Sequence, residues 1–148
     1  MSSAVEVRPA QPEDAPGITA CFCEAYIHYI ERIGRQSNAM LYNYADVIRQ
    51  FQVHVAVADS KVVGAIILKI TDEGFYLDNV AVRPSIKGQG VGRLLLKLAE
   101  AEACRQGYQS IYLRTNELMT ENRALYARIG YVEYDRRDGR VYFRKTLA

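Results

Sequence analysis

With 148 residues, 49% of them hydrophobic and 24% charged, the chain has the size and composition of one globular domain that buries a core. A formal net charge of +2 is too small for nucleic acid or an anionic membrane to be the main partner. No apolar run approaches the roughly 20 residues that a membrane-crossing helix needs, and Met1–Arg8 has no cationic start followed by an apolar core, so a cytoplasmic protein without a secretory leader is expected.

In chain order, Val5-Glu6-Val7 alternates and stops at Pro9, which predicts a short first strand. Glu13 and Asp14 precede an apolar-periodic stretch, Ile18 to Ile33, that predicts a helix ending at Gly34. After the polar stretch Gly34–Ala39, Met40 to Gln50 predicts a second helix with Leu41, Ala45 and Ile48 on one side. Val53–Ala58 and Val62–Ile70 predict a hairpin turning at Asp59-Ser60-Lys61, and a turn at Asp72-Glu73-Gly74 leads into a third strand, Phe75–Val82. Pro84 ends that strand and a glycine-rich loop follows.

Val91–Gln106 is the clearest helix, with Val91, Leu94, Leu95, Leu98 and Ala101 as its expected buried stripe and Gly107 as its stop. Ser110–Arg114 predicts a strand and Glu121–Ile129 a helix closed by Gly130. Val132–Tyr134 and Val141–Arg144 predict a last hairpin through Asp138-Gly139. No linker, repeat or low-complexity tract divides the chain, so residues 1–148 are expected to form one α/β domain, a mixed central sheet flanked by about four helices. Cys21, Cys23 and Cys104 stand near no histidine or further cysteine at zinc spacing; no metal is expected, and the three read as buried thiols.

The chemistry concentrates in Val80–Arg93, where glycines lie between the end of a strand and the start of a long helix. Such a loop lets backbone N–H groups approach an anion closely, and the helix dipole adds partial positive charge, so a phosphate or pyrophosphate is the expected ligand. A Walker loop would need Gly-Lys-Ser/Thr, which is absent. A dinucleotide fingerprint would need glycine at the position held by Arg93.

Lys87-Gly88-Gln89-Gly90-Val91-Gly92 resembles the acetyl-CoA-binding signature of the GNAT superfamily, Gln/Arg-x-x-Gly-x-Gly/Ala, with Lys87 in the first place. Downstream, Asn122-Arg123-Ala124-Leu125-Tyr126-Ala127-Arg128-Ile129-Gly130-Tyr131 is similar to that family's Asn…Leu-Tyr-x-x-x-Gly-Phe/Tyr segment, and the element order matches along nearly the whole chain. The resemblance implies a single-domain N-acetyltransferase that carries the acetyl group of acetyl-CoA to an amine in a ternary complex, without a metal. It also implies a possible homodimer. Val80, Ala81 and Val82 would meet the pantetheine arm, and the Val82 N–H would polarise the thioester carbonyl. Lys87, Gly88, Gln89, Gly90, Val91, Gly92 and Arg93 would hold the pyrophosphate; Asn122 would touch the cofactor arm, and Tyr126 would stand near the sulfur.

An oxyanion and a departing thiolate call for an aimed N–H donor and an acid, and Tyr126 is the candidate acid; its other reading is a core tyrosine. Asp78, two residues before Val80 and so expected on the same strand face, is either the base for a protonated amine or a binding or turn-capping group. Acceptor contacts are expected on the first two helices and their loop, from Tyr26, Tyr29 and Arg35, with Glu31, Asn38, Met40 and Tyr42 nearby. The alternative function is a module that holds an acyl-CoA as a ligand or sensor without transferring it.

Overall fold

Two tight turns fix the register of the sheet. Asp59 (φ 51°) and Ser60 (φ 62°) both adopt left-handed backbone, as do Asp138 (φ 50°) and Gly139 (φ 76°). That is the pair of conformations whose twist matches a two-residue hairpin, so the sequence signals at both places become the turns they suggested. The structure, a computed structural model, describes residues 4–147. Its strands are β1 (Glu6–Pro9), β2 (Gln52–Ala58), β3 (Lys61–Thr71), β4 (Gly74–Val82), β5 (Ser110–Asn116), β6 (Val132–Arg137) and β7 (Arg140–Thr146). They form one sheet in the order β1-β2-β3-β4-β5-β7-β6, in which β4 and β5 run parallel and the other neighbours antiparallel.

The helices are α1 (Ala15–Tyr26), α2 (Ile30–Ile33), α3 (Asn38–Leu41), α4 (Tyr44–Gln50), α5 (Val91–Arg105) and α6 (Thr120–Arg128). Among the described residues six α-helices thus stand where about four were expected, because both N-terminal helices are divided. A 3-10 turn, Ile27–Tyr29, separates α1 from α2, and Gly34 (φ 85°) closes α2. Asn43 divides the next helix: its side chain accepts the amide of Asp46, so it caps α4 instead of continuing α3. The break resets the helical phase. Ala39, Met40, Tyr44 and Val47 are buried, while Leu41, which the sequence grouped on one side with Ala45 and Ile48, is 62% exposed.

One core fills the space between the sheet and α5–α6, with Ile66, Leu68, Phe75, Leu77, Leu95, Ile111 and Phe143 at its centre. A second lies between β2–β4 and α1–α4, built on Ile18, Phe22, Tyr44, Val55, Ala65 and Ile67. Because β3 is covered on both faces, Val62–Leu68 is buried without interruption. Arg83 ties the second layer down: buried at the end of β4, it donates Nε to the Val62 carbonyl at 2.7 Å and pairs Nη1 with Glu24 of α1 at 2.6 Å. Among the described residues no helix is long and apolar enough to cross a membrane.

The buried stripe of α5 is Val91, Leu95, Leu96, Ala99 and Ala103, so the expected places for Leu94, Leu98 and Ala101 are corrected: Leu94 and Ala101 are exposed and Leu98 is half-buried. Three consecutive leucines fit more than one phase of the periodicity, and a contact on β3 chooses between them. A Cβ added to Gly64 would lie 3.0 Å from Val91 Cγ1, 3.1 Å from Leu95 Cδ1 and 3.2 Å from the Ala81 carbonyl oxygen. A glycine there lets α5 settle on the sheet with Val91 and Leu95 inward. Gly64→Ala is therefore expected to destabilise the fold by about 1–3 kcal/mol through overpacking. Denaturant unfolding should show a lowered midpoint with an unchanged m-value; an unchanged midpoint would mean that α5 yields without cost.

Candidate active site

The strands β4 and β5 stay together only briefly. Phe75, Tyr76 and Leu77 pair with Ile111, Tyr112 and Leu113, after which β4 continues beside β3 to Val82 and β5 beside β7 to Asn116. The Arg83 amide donates to the Val63 carbonyl at 2.8 Å, and hydrogen-bonded pairs alternate along an antiparallel ladder. The amides and carbonyls of Val80 and Val82 therefore point away from β3, into the gap that the parting opens. The hydroxyl of Tyr26, at the end of α1, reaches into it and donates to the Val80 carbonyl at 2.9 Å.

Beside the gap stands the N-terminus of α5. Gly88 (φ 87°) and Gly90 (φ 85°) turn the chain into the helix through left-handed backbone. No atom lies within 4 Å of a Cβ added to either, so glycine is required there by conformation rather than by crowding. No side chain caps the helix, and its first internal bond runs from the Leu94 amide to the Gly90 carbonyl, 3.1 Å. The amides of Val91, Gly92 and Arg93 are left without intrahelical partners, an anion-binding arrangement. They face a cleft of about 800 Å³ whose lining includes Val80, Ala81, Val82, Lys87, Gly88, Gly90, Val91, Gly92, Arg93, Asn122 and Tyr126. Gln89, expected with them, is absent from the lining. Lys87, Arg93, Lys97 and Arg128 also border the cleft and make no ion pair among the described residues.

The family model of the acetyltransferase (GNAT) domain matches residues 49–133, from the end of α4 into β6. The chain belongs to the GNAT acetyltransferase family. No curated protein sequence matches it. Among solved structures this GNAT chain is similar to the PaiA N-acetyltransferase of Thermoplasma acidophilum in complex with coenzyme A, with a TM-score of 0.87 and 18% identity over 97% of this chain and 99% of that one. It is also similar to GNAT-family acetyltransferases of Listeria monocytogenes 4b F2365 (TM-score 0.76, 18% identity, 99% of each chain) and Staphylococcus aureus Mu50 (TM-score 0.79, 14% identity, 98% and 100%). At these identities the likeness is one of fold. The family match leaves α1–α3, which help line a second cavity, and most of α4 outside its bounds.

That second cavity, of about 150 Å³, lies across the gap from the cleft, and Tyr26, Tyr29 and Asn122 line both. Of the expected acceptor contacts, Tyr26, Tyr29, Arg35, Asn38 and Tyr42 line it, whereas Glu31 and Met40 do not. Tyr76, Asn79, Arg114, Asn116 and Arg140 line it too and were missed: they lie on strands, where only the pairing of β4, β5 and β7 brings them to one place. At the mouth, Tyr29 and Arg32 reach Glu121 of α6 at 3.3 and 2.6 Å, tying the first helices to the far side of the gap. The Arg32 bond holds the Glu121 carboxyl down at about 2.

Asp78 reaches this cavity by an irregularity that alternation alone does not give. Ile67 pairs with Asn79 and Leu68 with Leu77, so Asp78 is the extra residue of a β-bulge. Phe75 and Leu77 pack under α5–α6, as Val80 and Val82 do, while Asp78 and Asn79 both face the second cavity. The expectation that Asp78 shares a face with Val80 is thereby corrected. Asp78 Oδ1 lies 3.4 Å from Lys69 Nζ, and Oδ2 accepts from Tyr42 at 3.4 Å and from Asn79 Nδ2 at 3.0 Å. Burial, with the Asp78 charge behind it, pushes the Tyr42 hydroxyl up to about 12.

Tyr126 lines the cleft from α6, its ring centroid 5.7 Å from that of Tyr131 and 6.1 Å from that of Phe143. It is 8% exposed, and burial pushes its hydroxyl up to about 12. The cysteines line neither cavity. Only Cys21 of the three is fully buried, its thiol pushed up to about 11 by that burial; Cys23 is half-buried and Cys104, expected inside, is exposed on the outer side of α5. A thiol-specific disulfide reagent should consume Cys104 first in the native protein and reach Cys21 only on unfolding, as peptide mapping of the adducts would show. Early labelling of Cys21 would contradict the packing of α1.

Proposed function

We propose that this GNAT protein transfers the acetyl group of acetyl-CoA to a primary amine by direct attack, with both substrates bound together. One observation carries the reading: the gap between β4 and β5 opens on one side to the cleft under the free amides of α5 and on the other to the cavity that holds Asp78. A thioester lodged in that gap meets an amine arriving from the opposite side, so neither substrate obstructs the other. The similar Thermoplasma N-acetyltransferase is in complex with coenzyme A, which supports coenzyme A as a ligand of this fold; the free amides of α5 favour the first cleft as its place.

In this reading the amides of Val91, Gly92 and Arg93, with the loop around Gly88 and Gly90, hold the pyrophosphate, and Lys87 adds a cation at the rim. The inward-facing backbone groups of Val80 and Val82 hold the pantetheine, and the Val82 N–H stabilises the oxyanion as the amine attacks. The nitrogen bonds to the acetyl carbon, the carbon–sulfur bond breaks, and Tyr126 gives its proton to the departing thiolate. Because the Tyr126 hydroxyl is pushed up to about 12, that proton is in place throughout the neutral range. Asp78, the only carboxylate lining the acceptor cavity among the described residues, receives protons from the amine, directly or through water. Of the two protons an alkylammonium loses, one restores Tyr126 and the other leaves to solvent.

The reading is tested by incubating the protein with acetyl-CoA and a panel of amines, following both thiol release and the acetylated amine by mass. Acetylation above the background with acetyl-CoA alone is expected. Tight coenzyme A binding with no acetylated product from any amine would favour a module that holds acyl-CoA without transferring it. In the same system Tyr126→Phe should leave coenzyme A affinity within about twofold and slow the single-turnover rate on the order of a hundredfold. An unchanged rate would return this tyrosine to a packing role.

A further inference from the structure

The acceptor cavity is unbalanced in charge. Its one carboxylate, Asp78, already faces Lys69 at 3.4 Å and accepts from Tyr42 and Asn79. Against it stand three arginines, Arg35, Arg114 and Arg140, and none has a carboxylate partner among the described residues. Arg114 donates Nε to the Tyr76 hydroxyl at 3.0 Å and Nη1 to the Tyr142 hydroxyl at 3.3 Å; these neutral groups fix the guanidinium plane and leave its charge unmatched. On β7, Arg140 pairs with Asn116 and Tyr142 with Arg114, so Arg140 is the diagonal neighbour of Arg114 on one sheet face. Diagonal neighbours stand about 7–8 Å apart, a spacing from which two long side chains converge on one anion. Arg114 is also the first β5 residue past the parting, since Leu113 is the last to pair with β4. Fixed guanidinium forks match carboxylate and phosphate oxygens two at a time.

We propose that the acceptor is a small primary amine that also carries an anionic group, a carboxylate or a phosphoryl, and that Arg114 and Arg140, with Arg35 from the loop after α2, receive that group. The amine end of this assignment rests on the acetyl-transfer reading; the anion end rests on the arginines alone. A polyamine would set its remaining ammonium groups against three guanidinium ions, with no free carboxylate to hold them.

The test separates the two ends. In the first arm, amino acids, ω-amino acids and aminoalkylphosphonates are each compared as acceptors with their neutral amides or esters and with putrescine. The anionic amines should show at least tenfold higher kcat/KM. In the second arm no turnover is needed: N-acetylglycine, N-acetyl-β-alanine and N-acetyl-2-aminoethylphosphonate are titrated calorimetrically against the coenzyme A-saturated protein, beside N-acetylglycinamide. At least one anion should bind tenfold or more tighter than the amide, and comparison of carboxylates with the phosphonate tells which anion the site prefers. Arg140→Gln, which removes no side-chain hydrogen bond among the described residues, should erase that preference while melting temperature and coenzyme A affinity hold. Arg114→Lys should weaken it by keeping the charge and losing the fork. Equal binding and turnover of neutral or cationic compounds, or an anion preference that survives both variants, would overturn the proposal. Arginine-dependent anion binding without acetylation of any amine would leave the anion site standing and remove the transfer reading. Acetylation without arginine-dependent anion binding would do the reverse.

Discussion

The candidate site depends on two parallel strands that part soon after they meet. β4 and β5 share three residue pairs, and then each follows its other neighbour, β4 along β3 and β5 along β7. In an ordinary sheet the inward amides and carbonyls of Val80 and Val82 would be spent on the next strand. Here they border a gap, and a protein keeps unpaired backbone groups at such a place only where something else meets them. Part of that demand is met internally by the Tyr26 hydroxyl on the Val80 carbonyl. The helix that follows adds its own free amides beside the same gap, because Gly90 starts α5 without a side-chain cap. Strand edge and helix terminus converge because the loop between them is short and its glycines take left-handed backbone.

The bulge at Asp78 divides the labour between the two sides of the sheet. If every residue of β4 alternated strictly, with no bulge, Val80 and Val82 would lie on the face opposite Phe75 and Leu77. With it, the apolar residues on both sides of the bulge pack under α5–α6, while Asp78 and Asn79 turn together to the cavity beneath α1–α4. A single local irregularity thus turns the apolar residues of one strand toward α5–α6 and places Asp78 and Asn79 at the second cavity. In the proposed reading, proton removal and thioester binding are carried out by neighbouring residues of one strand that point opposite ways.

The two sides also differ in what surrounds them. The cleft beside α5 lies within the part of the chain that matches the GNAT family model, and its recognition elements are mostly main-chain groups, which depend on conformation more than on residue type. The second cavity takes much of its wall from α1–α3 and the segments between and after them, outside that match, and its character comes from side chains: the ring of Tyr42, the Asp78–Lys69 pair and the arginines. In the proposed reading, acceptor choice rests on side-chain charge and coenzyme binding on backbone geometry.

How much of this could be read from the sequence follows from the range of the forces involved. Hairpin turns at Asp59-Ser60 and Asp138-Gly139, the glycines before α5, and the Asn122–Tyr131 segment are local: a few consecutive residues fix their backbone, so the mixed sheet and the glycine loop that borders the first cleft were legible in the sequence. Periodicity identified α5 but not which of its leucines turn inward, because Leu94, Leu95 and Leu96 satisfy competing phases until Gly64 admits two of its side chains. The division of the N-terminal helices depended on Asn43 capping against Asp46, a signal weaker than the apolar pattern around it. The face of Asp78 required the register of β3 against β4, and the grouping of Arg114 with Arg140 required the register of β5 against β7. These are contacts between residues far apart in the chain. The family, the strands and the glycine loop before α5 could be read from the chain alone, since each is encoded within a short stretch; which side chains line the second cavity could not, since strand pairing sets that and no short stretch contains it.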